Sequence, residues 1–351
     1  MNRKGSVVII SLWILVILAL GAVGLGHRAA VTARLADYQK EKLKAACLAR
    51  AGFNAAVSLL RIDRDANAVD HLNETWSTGV DPQTNMPLFE NQPIQPERAD
   101  NFSVRYLYDA QKNRYLCMSD EERKISIKAF DALRQKQFFE LLVDLDWDRD
   151  RCSALVDLIA AWIKETSGPA TAADEERFYK HAPLAATEEL LPILEFFYMR
   201  DHEEQPRLKA RQAYEKIADY ITVYTDGTLN INTASALVLH AAMNALVLAG
   251  DLEAVEGDVD DLVRRIITYR GQGGVFADVD PSATAAALEA IGAPLDTGQK
   301  NILSSLKPLT SVQSSIFRIE ARGVTAKKIS HDVIGVASRR GTPKILFWHE
   351  Q

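Results

Sequence analysis

The first 26 residues contain the feature that most constrains this chain. From Gly5 to Gly26 no residue carries a charge, and the only hydroxyls are those of Ser6 and Ser11. A helix of this length is about 33 Å long at about 1.5 Å per residue, which is enough to cross a bilayer core of about 30 Å. The sequence therefore predicts a membrane-spanning helix at the N-terminus.

Three kinds of segment begin with such a run. A cleaved secretory signal has an apolar region of about 7–15 residues and a small-x-small cleavage site, whereas this run is longer and its last third is Gly-rich. In an uncleaved anchor, Arg3 and Lys4 would keep a very short N-terminus in the cytoplasm and the following chain would lie outside. The third kind has a short basic leader that ends in Gly directly before the apolar segment.

The first five residues, MNRKG, followed by Ser6, resemble this third kind, the type IV prepilin signal. In that family a membrane peptidase cuts after the Gly on the cytoplasmic side. The apolar helix stays attached and packs into a filament. The resemblance implies cleavage between Gly5 and Ser6 by a prepilin peptidase.

The residues after the apolar run continue the helical pattern. No Pro occurs before Pro82, and residues 28–61 are rich in Ala, Leu, Arg, Lys and Glu with apolar residues at roughly helical spacing. We therefore predict one helix from about Ser6 to about Leu60. Its first half is apolar all round and its second half is amphipathic.

The pattern changes twice in the rest of the chain. Period-two alternation predicts strands at 102–108 and 124–128. Helical spacing then dominates until residue 306, interrupted by a strand-like stretch at 221–231 with a turn at Asp226-Gly227. The C-terminal residues return to strands at 315–322, 328–339 and 344–348. This order predicts an α+β fold in which a helical insertion interrupts an antiparallel sheet.

Segments along nearly the whole chain resemble the minor pseudopilin K (GspK) family of bacterial type II secretion systems. Leu229–Ala234, LNINTA, is the most specific of them, and Asn232 or Thr233 is expected to cap a helix that begins near Ala234. The family fold is a pilin-like domain that carries two SAM-like, helix-hairpin-helix-like modules. The other matching segments are MNRKG at the N-terminus, KISIKAF at 124–130, LVDLIAAWI at 155–163, EERFYKHAPLAATEELLPI at 175–193, ITVYTDGTLNINTASALVL at 221–239 and SIFRIEARG at 315–323.

The resemblance implies six parts. They are a leader at 1–5, a transmembrane segment at 6–26, the helix and first strands of a pilin-like domain at 27–128, a first SAM-like module at 129–218, a second at 219–308, and strands that complete the pilin-like domain at 309–351.

One position in the apolar helix bears on where such a subunit would lie. Most pilins carry Glu at the fifth mature position, which is Ile10 if Ser6 is the first. A carboxylate in a membrane or filament core is costly unless it is paired, and its partner in pilin filaments is taken to be the terminal amine of the adjacent subunit. A tip subunit has no subunit above it, so Ile10 fits a tip; an ordinary membrane-helix aliphatic residue is the alternative. Assembly contacts are expected on the same helix, at Val7, Ile10 and Trp13.

Helix-hairpin-helix modules can bind DNA, but the charge here has the wrong sign. Residues 219–308 contain five basic and twelve acidic side chains, a net charge of −7 in a chain of net charge −6. Phosphate binding requires positive charge. The sequence therefore favours structural reuse of the module, with no nucleic-acid partner. A membrane-anchored DNA receptor of a competence or type IV pilus system is the alternative function.

No catalytic or cofactor motif is apparent. HExxH, G-x-S-x-G, P-loop and C-x-x-C patterns are absent, so no enzyme is predicted. Asp144, Asp146 and Asp148 are weak candidates for calcium ligands. Arg149 stands where an EF-hand loop has Gly, however, and a solvated loop before a helix is the preferred interpretation. Calcium aside, no cofactor is expected.

Three cysteines leave two states open. Cys117 and Cys152 are a candidate disulfide pair outside the cytoplasm, because Cys47 lies on the long helix. Buried free thiols are the alternative.

The resemblance implies a non-enzymatic minor pseudopilin in the bacterial inner membrane. It would span the membrane once, with its N-terminus in the cytoplasm and most of the chain in the periplasm. Its place would be at the tip of a short filament that exports folded proteins across the outer membrane. Its expected partners are the I- and J-type minor pseudopilins, the prepilin peptidase and the inner-membrane secretion platform.

Overall fold

A single helix of 64 residues, α1 (Arg3–Ala66), runs from the N-terminus into the body of the protein. The computed structural model describes residues 3–94, 97, 99–109, 114–164, 180–250 and 257–351. The helix passes Gly21, Gly24 and Gly26 without interruption. The predicted long helix is therefore confirmed, and it ends six residues later than expected.

The remaining elements follow the predicted order of strands, helices and strands. The helices are α2 (Thr75–Thr78), α3 (Ala132–Asp144), α4 (Arg149–Ile163), α5 (Leu190–Arg200), α6 (Pro206–Ile217), α7 (Ala236–Ala249), α8 (Asp258–Gly271), α9 (Pro281–Glu289) and α10 (Thr297–Leu306). The strands are β1 (Gln92–Pro93), β2 (Asn101–Val104), β3 (Tyr106–Asp109), β4 (Arg114–Leu116), β5 (Met118–Asp120), β6 (Ile125–Ser126), β7 (Ile221–Thr222), β8 (Leu229–Asn230), β9 (Thr310–Ser311), β10 (Ile316–Val324), β11 (Ser330–Ser338) and β12 (Lys344–Glu350).

The C-terminal half of α1 packs on an antiparallel sheet of six strands. The sheet order is β1-β2-β10-β11-β12, and β5 pairs with β10 on the same side as β2. Alternate residues of β10 are buried, as period-two patterning predicts. Phe317 and Ile319 of β10 form a core with Phe53 and Leu60 of α1 and with Trp76.

Glycine lets the helix and the sheet approach closely. A Cβ on Gly323 of β10 would lie 2.2 Å from the carbonyl oxygen of Ala45 and 2.6 Å from the amide nitrogen of Ala49. A Cβ on Gly335 of β11 would lie 2.5 Å from the ring of Phe53. Both strands therefore need glycine where α1 crosses them.

Each half of the helical insertion is enclosed by a pair of short parallel strands. β6 pairs with β7 around α3–α6, and β8 pairs with β9 around α7–α10. The predicted turn in the stretch 221–231 is present at Gly227, which has a φ of +93°, and β7 and β8, which flank it, do not pair with each other. β7 and β8 instead pair with strands on the far side of their own helices. The module boundaries at 128, 218 and 308 stay predictions.

One continuous apolar core fills the helical insertion. It extends from Ile125 to Leu306 and includes buried side chains of all eight helices from α3 to α10. α3 and α7 pack closely against each other and join the two halves.

The cysteines lie apart. Cys117 is buried in the core between α1 and the sheet, and Cys152 is buried in the helical core. All three thiols are free, so the Cys117–Cys152 disulfide is wrong and the alternative of free thiols holds.

The close contact between α1 and β10 can be tested by adding a side-chain atom at Gly323. Replacing Gly323 with Ala is expected to lower the free energy of unfolding by about 3 kcal/mol, because the new Cβ meets backbone atoms that cannot move aside. Gly271→Ala is the matched control, since nothing lies within 4 Å of its added Cβ. Urea unfolding of the full chain in detergent micelles, followed by circular dichroism, measures both. Equal unfolding midpoints for the two variants would contradict this packing.

Candidate functional site

The N-terminal half of α1 is an exposed apolar rod. Every side chain from Val8 to Lys40 is exposed, including Ile10 at 56% and Trp13 at 63%. From Val8 onward, α1 is the one helix in the described residues that is long and apolar enough to cross a membrane. Such a surface requires a cover of lipid or of neighbouring apolar helices.

The residues predicted for leader cleavage lie at the start of this rod. Gly5, Ser6 and Val7 are helical in backbone, and their side chains lie outside the described part of the structure. The first acidic residue of the chain is Asp37, so the apolar segment offers no carboxylate. The side chain of Ile10 can therefore contribute packing alone, and cleavage between Gly5 and Ser6 stays a prediction.

The LNINTA segment lies in the interior of the protein. Asn230, Asn232 and Thr233 are each at most 2% exposed, and Leu229, Ile231 and Ala234 belong to the helical core. The side chain of Asn232 spans to the loop before α9: its Nδ2 donates to the carbonyl oxygen of Phe276, and its Oδ1 accepts from the Phe276 amide, both at 2.9 Å. The segment thus joins two loops of the second module.

The predicted cap of the following helix is wrong. α7 begins at Ala236, and its cap is Ser235, whose Oγ accepts from the amide of Val238 at 3.3 Å. Asn232 is committed to Phe276, and the hydroxyl of Thr233 donates to Asp120 Oδ2 at 2.5 Å. Because both side chains serve tertiary contacts, neither can turn toward the helix.

A buried arginine holds the end of α1 to the sheet. Arg339, at the end of β11, is 4% exposed and donates to Asp63 Oδ2 of α1 at 2.7 Å and to both carboxylate oxygens of Asp70. Its Nε donates to the carbonyl oxygen of Ser314 at 2.9 Å. Asp70 also accepts from the Ser314 amide at 2.6 Å. The cation therefore links α1, β11 and the chain between β9 and β10.

The same network continues into the helical insertion. Ser314 Oγ donates to Asp120 Oδ2 at 2.6 Å and accepts from Asn230 Nδ2 at 2.8 Å. Glu122 accepts from the amides of Ser315 and Ile316 at 3.0 Å each. Burial and the neighbouring Asp120 carboxylate raise the pKa of Glu122 well above its usual range. The polar junction, which we define as Asp70, Asp120, Glu122, Ser314 and Arg339, joins the pilin-like body to the second module.

Beside the junction lies the one group of three acidic side chains whose oxygens converge in the described residues. Oxygens of Asp63, Asp70 and Glu74 lie within 4.8 Å of one another. Arg339 occupies Asp63 and Asp70, while Glu74 accepts from Trp76 Nε1 at 2.8 Å. Burial raises the pKa of Asp70 to about 6 and that of Glu74 to about 7. The group is therefore a structural cluster in which Arg339 pairs with two of the three carboxylates.

The calcium candidates of the sequence have separate local partners. Asp144 Oδ2 lies 2.7 Å from His240 Nδ1 and raises the pKa of that imidazole. Asp148 caps α4 by accepting from the amides of Asp150 and Arg151. Asp146 has a left-handed backbone, with a φ of +63°. The three do not form a group of converging ligand oxygens in the described residues, and a calcium site there stays an untested expectation.

The basic side chains of the second module all have internal partners. Arg264 and Arg265 bond Asp261, Lys300 pairs with Glu289, and Lys307 pairs with Asp280. The remaining one, Arg270, donates to the carbonyl oxygen of Ala234 at 2.6 Å.

The glycine hairpin of the module is also partly covered. Gly271, Gly273 and Gly274 line a cavity of about 420 Å³ together with His71 and Asn73 from the pilin-like body. The hairpin of the second module therefore lies against a segment of the pilin-like body.

Sequence analysis did not single out the polar junction. Five consecutive residues with ionisable side chains, from Asp120 to Lys124, are each at most 5% exposed. Lys124 Nζ pairs with Glu121 Oε1 at 2.7 Å. The sequence shows this segment as a short run of charged residues that overlaps the predicted strand at 124–128. Such a run is equally typical of a solvent-exposed loop and of a buried contact between two parts of a protein.

Comparison with solved structures identifies the fold. A chain in the crystal structure of the GspK–GspI–GspJ complex from the type 2 secretion system of enterotoxigenic Escherichia coli superposes with a TM-score of 0.57. The match covers 90% of this chain and 99% of that chain, at 17% sequence identity. The chain has a GspK-like fold. No protein-family model matches the chain, and no curated protein matches its sequence.

The GspK-like fold confirms the predicted α+β class and the resemblance that the sequence showed. In this fold the residues predicted from the sequence lie in two different places. Ile10 and Trp13 lie on the exposed rod, whereas Leu229–Ala234 hold the helical insertion to the pilin-like body.

Because Arg339 holds the polar junction together, we expect its replacement to lower the stability of the protein strongly. Arg339→Met is expected to lower the free energy of unfolding by about 4 kcal/mol, because it leaves the buried carboxylates of Asp63 and Asp70 without their cation. Arg322→Met is the matched control, since the Arg322–Asp332 pair is solvent-exposed and is expected to contribute less than about 1 kcal/mol. Thermal unfolding of the full chain in detergent compares them. A loss for Arg339→Met no greater than that for Arg322→Met would refute this role.

Proposed function

We propose that this chain is a minor pseudopilin of a type II secretion system and that it acts at the tip of the pseudopilus. The observation that carries the proposal is the GspK-like fold over 90% of the chain, combined with a continuous helix that is exposed and apolar in its first half. The helix would hold the protein in the inner membrane before assembly and pack against other subunits in the filament.

Two features support the tip position. A buried acidic partner for the next subunit's amine is missing, because Ile10 occupies the fifth position after the proposed cleavage and no acidic residue precedes Asp37. The helical insertion from β6 to β9 adds a second, large core beside the pilin-like core. A body of this size fits the end of a closely packed filament better than its side.

The partners follow from this role. The I- and J-type minor pseudopilins would join this subunit to start assembly, and the prepilin peptidase would remove residues 1–5. The inner-membrane platform would add further subunits below, for export of folded proteins across the outer membrane. The role is non-enzymatic, and most of the chain would lie in the periplasm.

The DNA-receptor alternative has less support. The second module carries a net charge of −7, and each of its five basic side chains has a partner inside the protein. A backbone-amide DNA site at the glycine hairpin would also have to accommodate the adjoining His71 and Asn73.

The N-terminus of the membrane-extracted protein tests the pilin class. Intact-mass and N-terminal peptide spectrometry are expected to show a chain that begins at Ser6. The same protein from a host strain without prepilin peptidase is the control and should begin at Met1. A chain that begins at Met1 in the host strain with prepilin peptidase would contradict the proposal. A chain that begins after about residue 26, as cleavage of a secretory signal would give, would also contradict it.

A further inference from the structure

The edge of the main sheet next to α1 carries an exposed apolar and basic surface. β12 is the last strand of the sheet, and within the described residues it pairs with β11 alone. Ile345 and Trp348 of this strand are 56% and 38% exposed. Their partners in the register, Ala337 and Gly335, both face α1, so Ile345 and Trp348 lie on the α1 side of the sheet.

Arginines of α1 line the same edge. Arg50, Arg61 and Arg64 follow one another at intervals of eleven and three residues, which places them on one side of the helix. Arg50 binds both carboxylate oxygens of Glu350 at the end of β12. Arg64 donates to the carbonyl oxygen of Gly341 just before the strand. β12 therefore runs along this side of the helix from Arg64 to Arg50.

We call Arg50, Arg61, Arg64, Ile345 and Trp348 the edge patch. Trp348 anchors it, because its ring packs edge to face on Phe53 with centroids 4.9 Å apart. Tryptophan and arginine are the residue types that dominate binding energy at protein interfaces. A rigid, half-exposed tryptophan among arginines is therefore a suitable centre for a protein contact.

The charge of the edge patch defines the kind of partner. The nearby carboxylates are already engaged, Glu350 by Arg50 and Asp65 by Arg64. Arg61 is an exposed cation beside these ion pairs, in a chain whose net charge is −6. Electrostatic complementarity favours a partner that places carboxylates around an apolar centre.

We propose that the edge patch docks an acidic surface of another minor pseudopilin, of the I or J type. This inference rests on the proposed function and names the surface that would serve it. The edge patch continues the exposed side of α1, the helix through which filament packing is proposed. A subunit packed beside that helix would therefore also reach β12.

Binding measurements with the full chain in detergent test this contact. The probes are the purified I- and J-type minor pseudopilins encoded by the same genome. Arg61→Glu is expected to weaken the complex by about tenfold or more, and added salt should weaken the wild-type complex as well. Arg207→Glu is the matched control, because Arg207 is an exposed arginine on α6 far along the chain from the edge patch; it should leave affinity within about twofold.

A second variant separates binding from folding. Trp348→Ala should also weaken the complex by about tenfold or more, and because it removes the contact with Phe53, its thermal unfolding is measured alongside. Arg61 is exposed, so Arg61→Glu should unfold like the wild type. Tight wild-type binding that neither variant weakens would overturn the inference and leave the proposed function standing. A wild-type chain that binds neither pseudopilin would contradict both. Self-association lost in Arg61→Glu would assign the edge patch to a second copy and overturn the inference.

Discussion

The close contact between α1 and the centre of the sheet is the constraint on which the rest of the structure depends. α1 is one uninterrupted helix, so the exposed apolar segment and the segment buried on the sheet belong to the same element. Gly323 and Gly335 allow the helix to lie directly on β10 and β11. Because α1 is continuous, it joins the sheet directly to the apolar rod.

A buried polar network fixes the helical insertion to this frame. Arg339 joins Asp63 of α1 to Asp70, and Ser314 carries the network on to Asp120 and Asn230. Buried ion pairs add little net stability but strongly penalise arrangements in which they are not formed. Orientations of the insertion that break this junction would therefore leave buried charges unpaired.

Sequence reasoning found the elements whose signal is local. The long helix, the alternation in β10 and the helical spacing up to residue 306, where α10 ends, were predicted to within a few residues, since each depends on its own local pattern. The partners of β7 and β8 were missed because each lies on the far side of a whole helical module, roughly 80 to 100 residues away along the chain. The cap at Ser235 was missed because the predicted caps, Asn232 and Thr233, bond to the distant residues Phe276 and Asp120. The burial of Arg339 was missed because its partners Asp63 and Asp70 are distant in sequence. Leader cleavage and the tip position leave no trace in the packing of a single chain.

The position of the chain in an assembled filament distinguishes a tip subunit from a subunit of the shaft. Electron cryomicroscopy of pseudopili assembled with the I- and J-type minor pseudopilins would locate the helical insertion, whose core makes it easy to distinguish from a simple pilin domain. For a tip subunit we expect one copy at one end of the filament, with the insertion beyond the last pilin-like sheet. Copies repeated along the filament, or filaments that never contain the chain, would contradict it.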